Sequence, residues 1–334
     1  MMSSSREAIK NFRPGQGQSK RTVLFFRDFR RFHGGHLKVW HYYQHLKHSE
    51  NFRPAVYFSE GSLWTEENPW LAERDNIEPG WEPGNADILF LGGNDWRMLD
   101  QTGDWNRSMP IVNLIQHVSH GVPTDSRFLY LSRKAIRICV SEQVSECLRA
   151  TKRVQGPIFT ITNGLDPDEM PPPQPHSARD IGVFVAGLKN PQIAGKISEA
   201  LRGHGLPVEM QSAALPRRVF LTMLNRSKMV VLLPSKTEGF YLPALEAMAL
   251  GTLTICPDCV GNRAFCVHNI NCIMPDYGVV ELVKAALTGW SMDQTESHRI
   301  VAAGRETAFE HGLISERIKF LEIMNNIDRI WQSE

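Results

Sequence analysis

The feature that most constrains this chain is an alternation that runs twice. Short apolar runs, each the length of a buried strand, are followed by segments of helical periodicity. A proline run at Pro171, Pro172, Pro173 and Pro175 stops the series, and the series then restarts. Before the prolines the strand candidates are 22–26, 54–58, 87–91, 110–115, 136–140 and 157–161. Leu37, Trp40, Tyr43 and Leu46 mark a helix after the first of them, and Ser141 caps a helix running through Leu148. After the prolines, strands at 181–185, 207–210, 229–233 and 253–256 alternate with helices at 193–201, 219–225, 242–250 and 279–288. The tail, 297–330, reads as two helices, the second with an apolar stripe at Ile318, Leu321, Ile327 and Ile330. Strands separated by helices form parallel sheets covered on both faces, so the fold class is α/β. The expected organisation is an arm (1–20), a first unit (21–170), a proline-rich linker (171–178), a second unit (179–310) and a C-terminal helix (311–334) that returns to the first unit. In such sheets ligands bind at the carboxyl ends of the strands, which puts the site in a cleft between the units.

Composition narrows the function classes. At 334 residues the chain suits two domains, and 42% hydrophobic with 22% charged residues excludes a disordered or collagen-like chain. Lys and Arg number 37 against 36 Asp and Glu, a net charge of +1, so no global field attracts nucleic acid. No apolar run approaches the ~18 residues needed to span a bilayer. The first twenty residues hold no apolar stretch, so the chain reads as cytoplasmic, with peripheral contact at an inner membrane surface left open. Among six cysteines, Cys256, Cys259, Cys266 and Cys272 cluster. Cys256-Pro-Asp-Cys259 is half of a zinc knuckle, but Cys266 and Cys272 are spaced too widely to complete it, and buried thiols are the plainer reading.

The chemistry concentrates in one segment, Ser235-Lys-Thr-Glu238-Gly239-Phe240-Tyr241-Leu242-Pro243-Ala-Leu-Glu246. A buried strand ends at Pro234, Glu238 falls in the loop and Glu246 on the helix that Pro243 opens, so both carboxylates can face one cleft. Gly239 lets backbone approach a ligand, and free amides at a helix start can donate to an anion or a polyhydroxyl. By itself, the segment could equally be an ordinary acid-capped helix.

Glu238 and Glu246, seven residues between them, in this setting resemble the donor-site motif of retaining GT-B glycosyltransferases of family four. Gly34-Gly35 resembles the family's glycine turn, Val140-Ser141-Glu142 its valine-serine strand end, and Thr162-Asn163-Gly164-Leu165-Asp166 its asparagine-glycine segment. The resemblance spans most of 22–330 and implies two Rossmann-like domains and a hexosyltransferase that takes a sugar from a UDP- or GDP-sugar with retention. It implies that Glu238 contacts the donor sugar and Glu246 the ribose. Gly239, Phe240, Tyr241 and Leu242 would hold sugar and phosphates, with no metal and no cofactor beyond the donor. The usual Gly-Arg of the second unit's first strand is missing here, leaving Lys189 and Lys196 as phosphate candidates. His117, with His120 as the alternative, would lie near the donor sugar, and the Gly34-Gly35 amides near the diphosphate. Pro257 to Phe265 departs from the family pattern, and Arg263 within it has no evident place. Arg27, Arg30, Arg31, His33 and His36 crowd the loop beside Gly34; they suit either an anionic glycan or lipid-linked acceptor or the donor phosphates. The competing readings are a nucleotide-sugar epimerase, a sugar phosphorylase and a non-catalytic nucleotide-sugar-binding protein.

Overall fold

The structure is a computed structural model that describes residues 19–103, 105–211 and 213–333. Eighteen of the twenty residues of the expected N-terminal arm therefore lie outside the described residues.

The first series builds β1 (Arg21–Arg27), α1 (Gly34–Lys47), β2 (Phe52–Phe58), β3 (Ile88–Gly92), α2 (Trp96–Asp100), β4 (Ile111–Ile115), β5 (Ile136–Cys139), α3 (Glu142–Ala150) and β6 (Ile158–Thr160). Its six strands pair all-parallel in the order β2-β1-β3-β4-β5-β6. The second builds β7 (Ile181–Ala186), α4 (Pro191–Gly203), β8 (Val208–Gln211), α5 (Arg217–Arg226), β9 (Ser227–Leu232), α6 (Leu242–Ala249), β10 (Leu253–Ile255) and α7 (Val279–Trp290). Its strands run β10-β9-β7-β8, also all-parallel. β3, β4 and β7 are buried along their whole length, because helices cover both sheet faces, and the one polar residue of β4, Asn113, donates to Leu91 O.

The strand orders locate the site. In the first sheet the chain moves from β1 outward to β2 and then to the other side of β1 for β3. In the second it moves from β7 to β8 and then back across to β9. Each sheet thus has one switch point, and the loops leaving the two strands there diverge, opening a crevice at their carboxyl ends.

The chain passes between the sheets twice, and the two passages touch. Leu165 N–H donates to His311 O at 2.7 Å and Leu313 N–H to Leu165 O at 3.0 Å. The proline stretch is tied to the second unit by Asn225, whose side chain accepts from Gln174 N–H and donates to Pro172 O. Arg179 helps by donating to Gln174 O, Ser227 O and Leu250 O.

The tail differs from its sequence expectation. It forms three helices, α8 (Gln294–Glu310), α9 (Leu313–Asn325) and α10 (Ile327–Gln332). Ile318, expected in the buried stripe, is 62% exposed. The buried face of α9 carries Glu316, Phe320, Ile323 and Met324 instead. The cause lies in α1. Beside the expected Leu37, Tyr43 and Leu46, α1 buries Lys38, His41 and His45, which share a face at i, i+3 and i+7. Lys38 Nζ donates to Glu316 Oε2 at 2.6 Å and His45 Nε2 to Oε1 at 3.0 Å, while Gly164 N–H also reaches Glu316. A buried ion pair of this kind is tolerated only when its hydrogen bonds are complete, and these dictate the rotation of α9. Burial alone would raise the Glu316 carboxyl, but Lys38 and His45 bring it down to about 2.

Candidate functional site

The crevice is a cleft of about 1000 Å³ lined from both units. The first unit supplies the ends of β1 and β3 (Arg27, Gly92 to Asp95), the start of α1 and Gln116 and His117 after β4. The second supplies the ends of β7 and β9, the start of α5, and the loop and first turns of α6.

Both motif carboxylates open into it. Glu238 sits where the loop after β9 turns, accepting from Ser235 N–H at 2.9 Å and from Lys189 Nζ. Lys189 follows β7 and also lies 5.5 Å from the centre of the Tyr241 ring. Glu246 is buried two turns' reach along α6 and accepts from Arg217 Nη1. Of the two lysine candidates, only Lys189 lines the cleft; Lys196 is exposed on α4 and does not. Arg263 pairs with Asp258 on the surface and does not line the cleft either.

Gly239 marks the closest approach of the two units. A Cβ there would lie 1.9 Å from Gln116 O and 2.9 Å from His117 Cα. Two hydrogen bonds flank it across the cleft. Ser141 Oγ donates to Gly239 O at 2.7 Å, and His117 Nε2 donates to Thr237 O at 2.7 Å. Ser141 is therefore more than the N-cap of α3, where its oxygen accepts from Val144 N–H. His117 Nδ1 accepts from Ser119 N–H at 3.0 Å, which makes Nε2 the protonated nitrogen. His117 thus touches the donor-motif loop through its backbone. His120 is buried behind it, its imidazole lowered to about 3 by burial first and Arg127 next.

Gly34 and Gly35 open α1, as the glycine turn suggested, with no side-chain cap and no acid in the first turn. Leu242 Cδ1 stands 3.4 Å from where a Gly34 Cβ would be, so the helix start faces the start of α6. Of the basic loop, Arg30 turns away to Asp28 and Gly61 O. Arg27 is buried in the cleft wall with its Nη2 on His36 Nδ1, its Nη1 3.4 Å from Asp95 and its Nε unpartnered among the described residues. Burial, then the Arg27 charge, drops His33 to about 4 and His36 to about 2, so both are neutral at pH 7. Burial raises the Asp95 carboxyl to about 6 despite Arg27.

The four clustered cysteines are buried free thiols under the α6 loop. Burial pushes the Cys256 thiol well up, and a hydrogen bond with Cys272 does the same for Cys266. Among the described residues no group of three or more His, Cys, Asp or Glu is arranged to hold a metal ion. No helix among them is long and apolar enough to cross a membrane.

Sequence reading missed Arg217, Glu169 and Asp95; it singled out Arg27 and His36 for an acceptor or the donor phosphates, and the structure pairs them with each other. One signal was present for Arg217: α5 begins Arg217-Arg218, although a helix start disfavours cations.

Residues 215–307, which enclose both motif carboxylates, match the family model of the glycosyl transferases group 1. Over those residues the chain is similar to the group 1 glycosyl transferases. A Bacillus subtilis protein described as an uncharacterized glycosyltransferase, YqgM, is 32% identical over 96 residues. That match spans 29% of this chain and 26% of the length of the relative. Likeness to solved structures covers nearly everything. Sucrose-phosphate synthase from Thermosynechococcus elongatus superposes with a TM-score of 0.67 at 11% identity, over 93% of this chain and 100% of that one. Anabaena HepE, solved with UDP-glucose, gives 0.66 at 12% identity over 92% of this chain and 100% of that one. At such identities the likeness speaks for the fold, and the fold is GT-B.

Proposed function

We propose that this chain is a retaining glycosyltransferase of the hexosyl type that uses a nucleotide-sugar donor, a UDP- or GDP-sugar, and a glycan or lipid-linked acceptor. The observation that carries the reading is the placement of Glu238 and Glu246 on the loop and helix after β9, opening into a cleft whose opposite wall is the uncapped start of α1. Both the group 1 match over this segment and the UDP-containing structures of the Anabaena relative support it.

Each residue acts through simple chemistry. Glu246 accepts from the ribose hydroxyls with a carboxylate already held by Arg217. Glu238, fixed by Ser235 N–H and Lys189, accepts from hydroxyls of the donor sugar. The amides of Gly239, Phe240 and Tyr241 and those of Gly34 and Gly35 line the cleft beside two helix starts and can donate to the diphosphate, Leu242 lines the same wall, and Lys189 adds a cation. This set neutralises the leaving group without a metal or other cofactor. His117 holds the Glu238 loop against the first unit and keeps the cleft closed at the sugar end. Lys196 has no part in this account. Retention follows if the departing phosphate takes the acceptor's proton in a closed, dry site.

A panel of UDP- and GDP-sugars, scored by thermal shift and by release of free nucleotide, tests the reading. One donor should raise the melting temperature of the wild type and be turned over, and Glu246→Gln should lose most of the shift. A panel in which no nucleotide sugar stabilises the chain refutes the proposal. Isomerised sugar formed without an acceptor replaces it with an epimerase.

A further inference from the structure

The donor-site reading leaves Arg217 with a larger role than pairing one carboxylate. Its Nη1 donates to Glu246 Oε1, its Nη2 lies 3.6 Å from Glu169 Oε2, and its guanidinium carbon stands 5.9 Å from the centre of the Phe32 ring. These partners belong to three parts of the molecule. Glu246 is on α6, Glu169 on the connector between the units and Phe32 on the first unit's loop after β1. Glu169 carries the contact onward: His41 Nε2 donates to its Oε1 at 3.2 Å, and Lys38 Nζ donates to His41 Nδ1 at 2.9 Å. Lys38 also reaches Glu316 on α9. An unbroken run of polar contacts leads from the donor helix, through the connector, to the helix that closes the chain onto the first unit.

We propose that Arg217 is a positioning residue for nucleotide recognition, which fixes the Glu246 carboxylate for the ribose and ties that carboxylate to the connector, so that nucleotide binding and the seating of the two units are coupled. This rests on the donor-site reading above. Three physical points support it. A buried carboxylate such as Glu246 needs a cation to remain in place, and Arg217 is the one that contacts it among the described residues. A guanidinium can reach two carboxylates at once with separate nitrogens, which a lysine ammonium does less well. A cation at the first position of α5 opposes the helix dipole, a cost that Glu246 and Glu169 offset. Burial alone would lower the Arg217 guanidinium, yet those two carboxylates hold it above its ordinary value.

The experiment is calorimetric titration with whichever of UDP, ADP and GDP the wild-type chain binds most tightly. Arg217→Gln should weaken that binding tenfold or more, with Arg217→Lys intermediate. In a Glu246→Gln background the further loss from Arg217→Gln should shrink below threefold, because Arg217 acts through that carboxylate. Glu169→Gln leaves the Arg217–Glu246 pair in place and provides the arm that does not depend on Arg217 variants folding. It should weaken nucleotide binding two- to fivefold and reduce the compaction that nucleotide produces in small-angle scattering. Wild-type affinity in Arg217→Gln, or the same loss with and without Glu246, overturns the proposal. A wild type that binds none of the three nucleotides instead refutes the donor-site reading itself.

Discussion

Gly239→Ala is the sharpest mechanical test of the closed cleft. The added Cβ would lie 1.9 Å from Gln116 O, 2.6 Å from Gln116 C and 2.9 Å from His117 Cα. All three are backbone atoms at the end of β4, so no side-chain rotation relieves the clash. Ordinary carbon contacts lie near ~3.5 Å, so the loop must retreat by about 1.5 Å. That retreat takes the bond from Ser141 Oγ to Gly239 O, now 2.7 Å, beyond hydrogen-bonding distance, and strains the neighbouring bond from His117 Nε2 to Thr237 O. Overpacking costs about 1–3 kcal/mol and each lost hydrogen bond about 0.5–1.5, so closure is disfavoured by roughly 2–6 kcal/mol. At about 1.4 kcal/mol per factor of ten, kcat/KM should fall on the order of a hundredfold or more. Because the clash lies between the units and outside either core, the urea midpoint should move far less than the activity. Small-angle scattering with donor nucleotide present should show a more open particle. Gly195→Ala is the control: it sits inside α4 with nothing within 4 Å of its Cβ position and should stabilise by about 0.5–1 kcal/mol. A Gly239→Ala chain with wild-type kcat/KM and wild-type scattering refutes the argument that the cleft works closed on this contact.

Other outcomes follow from the same geometry. Glu316→Gln leaves Lys38 buried without its carboxylate and should cost about 3–5 kcal/mol in urea unfolding; a change below 1 kcal/mol would show that α9 is not held by this pair. Transfer activity should persist in EDTA, and loss that Mg²⁺ or Mn²⁺ restores would show that the two helix starts and Lys189 are insufficient for the diphosphate. Proton NMR of fresh product should show the donor's anomeric configuration retained; an inverted product removes the assigned role of Glu238. Burial lowers His120 in the folded chain to about 3, so the unfolded chain takes up that proton first, near its ordinary value. Stability is then full above pH 6.5 and falls as the pH drops toward 3, by roughly 1.4 kcal/mol per pH unit for such a histidine. His120→Asn should flatten that slope in urea unfolding between pH 6.5 and 4, and an unchanged slope assigns the acid sensitivity elsewhere.

The parallel α/β character and the existence of two sheets could be read along the chain, because strands buried on both faces need continuous apolar runs and the turns between them need glycine or asparagine. The carboxylate pair was legible for the same local reason: a strand end, a glycine, a Pro-opened helix and two acids at fixed spacing determine their own geometry. Contacts between distant segments were not legible. Lys38, His41 and His45 look like the polar side of α1 until α9 brings Glu316 against them, which also turns Ile318 out to solvent. Lys189 and Lys196 are both phosphate candidates in sequence, with Lys189 the stronger, and the direction of α4 leaves Lys189 on the cleft and Lys196 outside it. Arg217 is a basic residue at a helix start in sequence; it becomes the partner of Glu246 and Glu169 because three chain segments meet there. Periodicity and turn chemistry act over a few residues and are written in order along the chain. The pairing of buried charges is decided by which surfaces the packed sheets and helices bring together, and that is settled only when the whole chain has closed on itself.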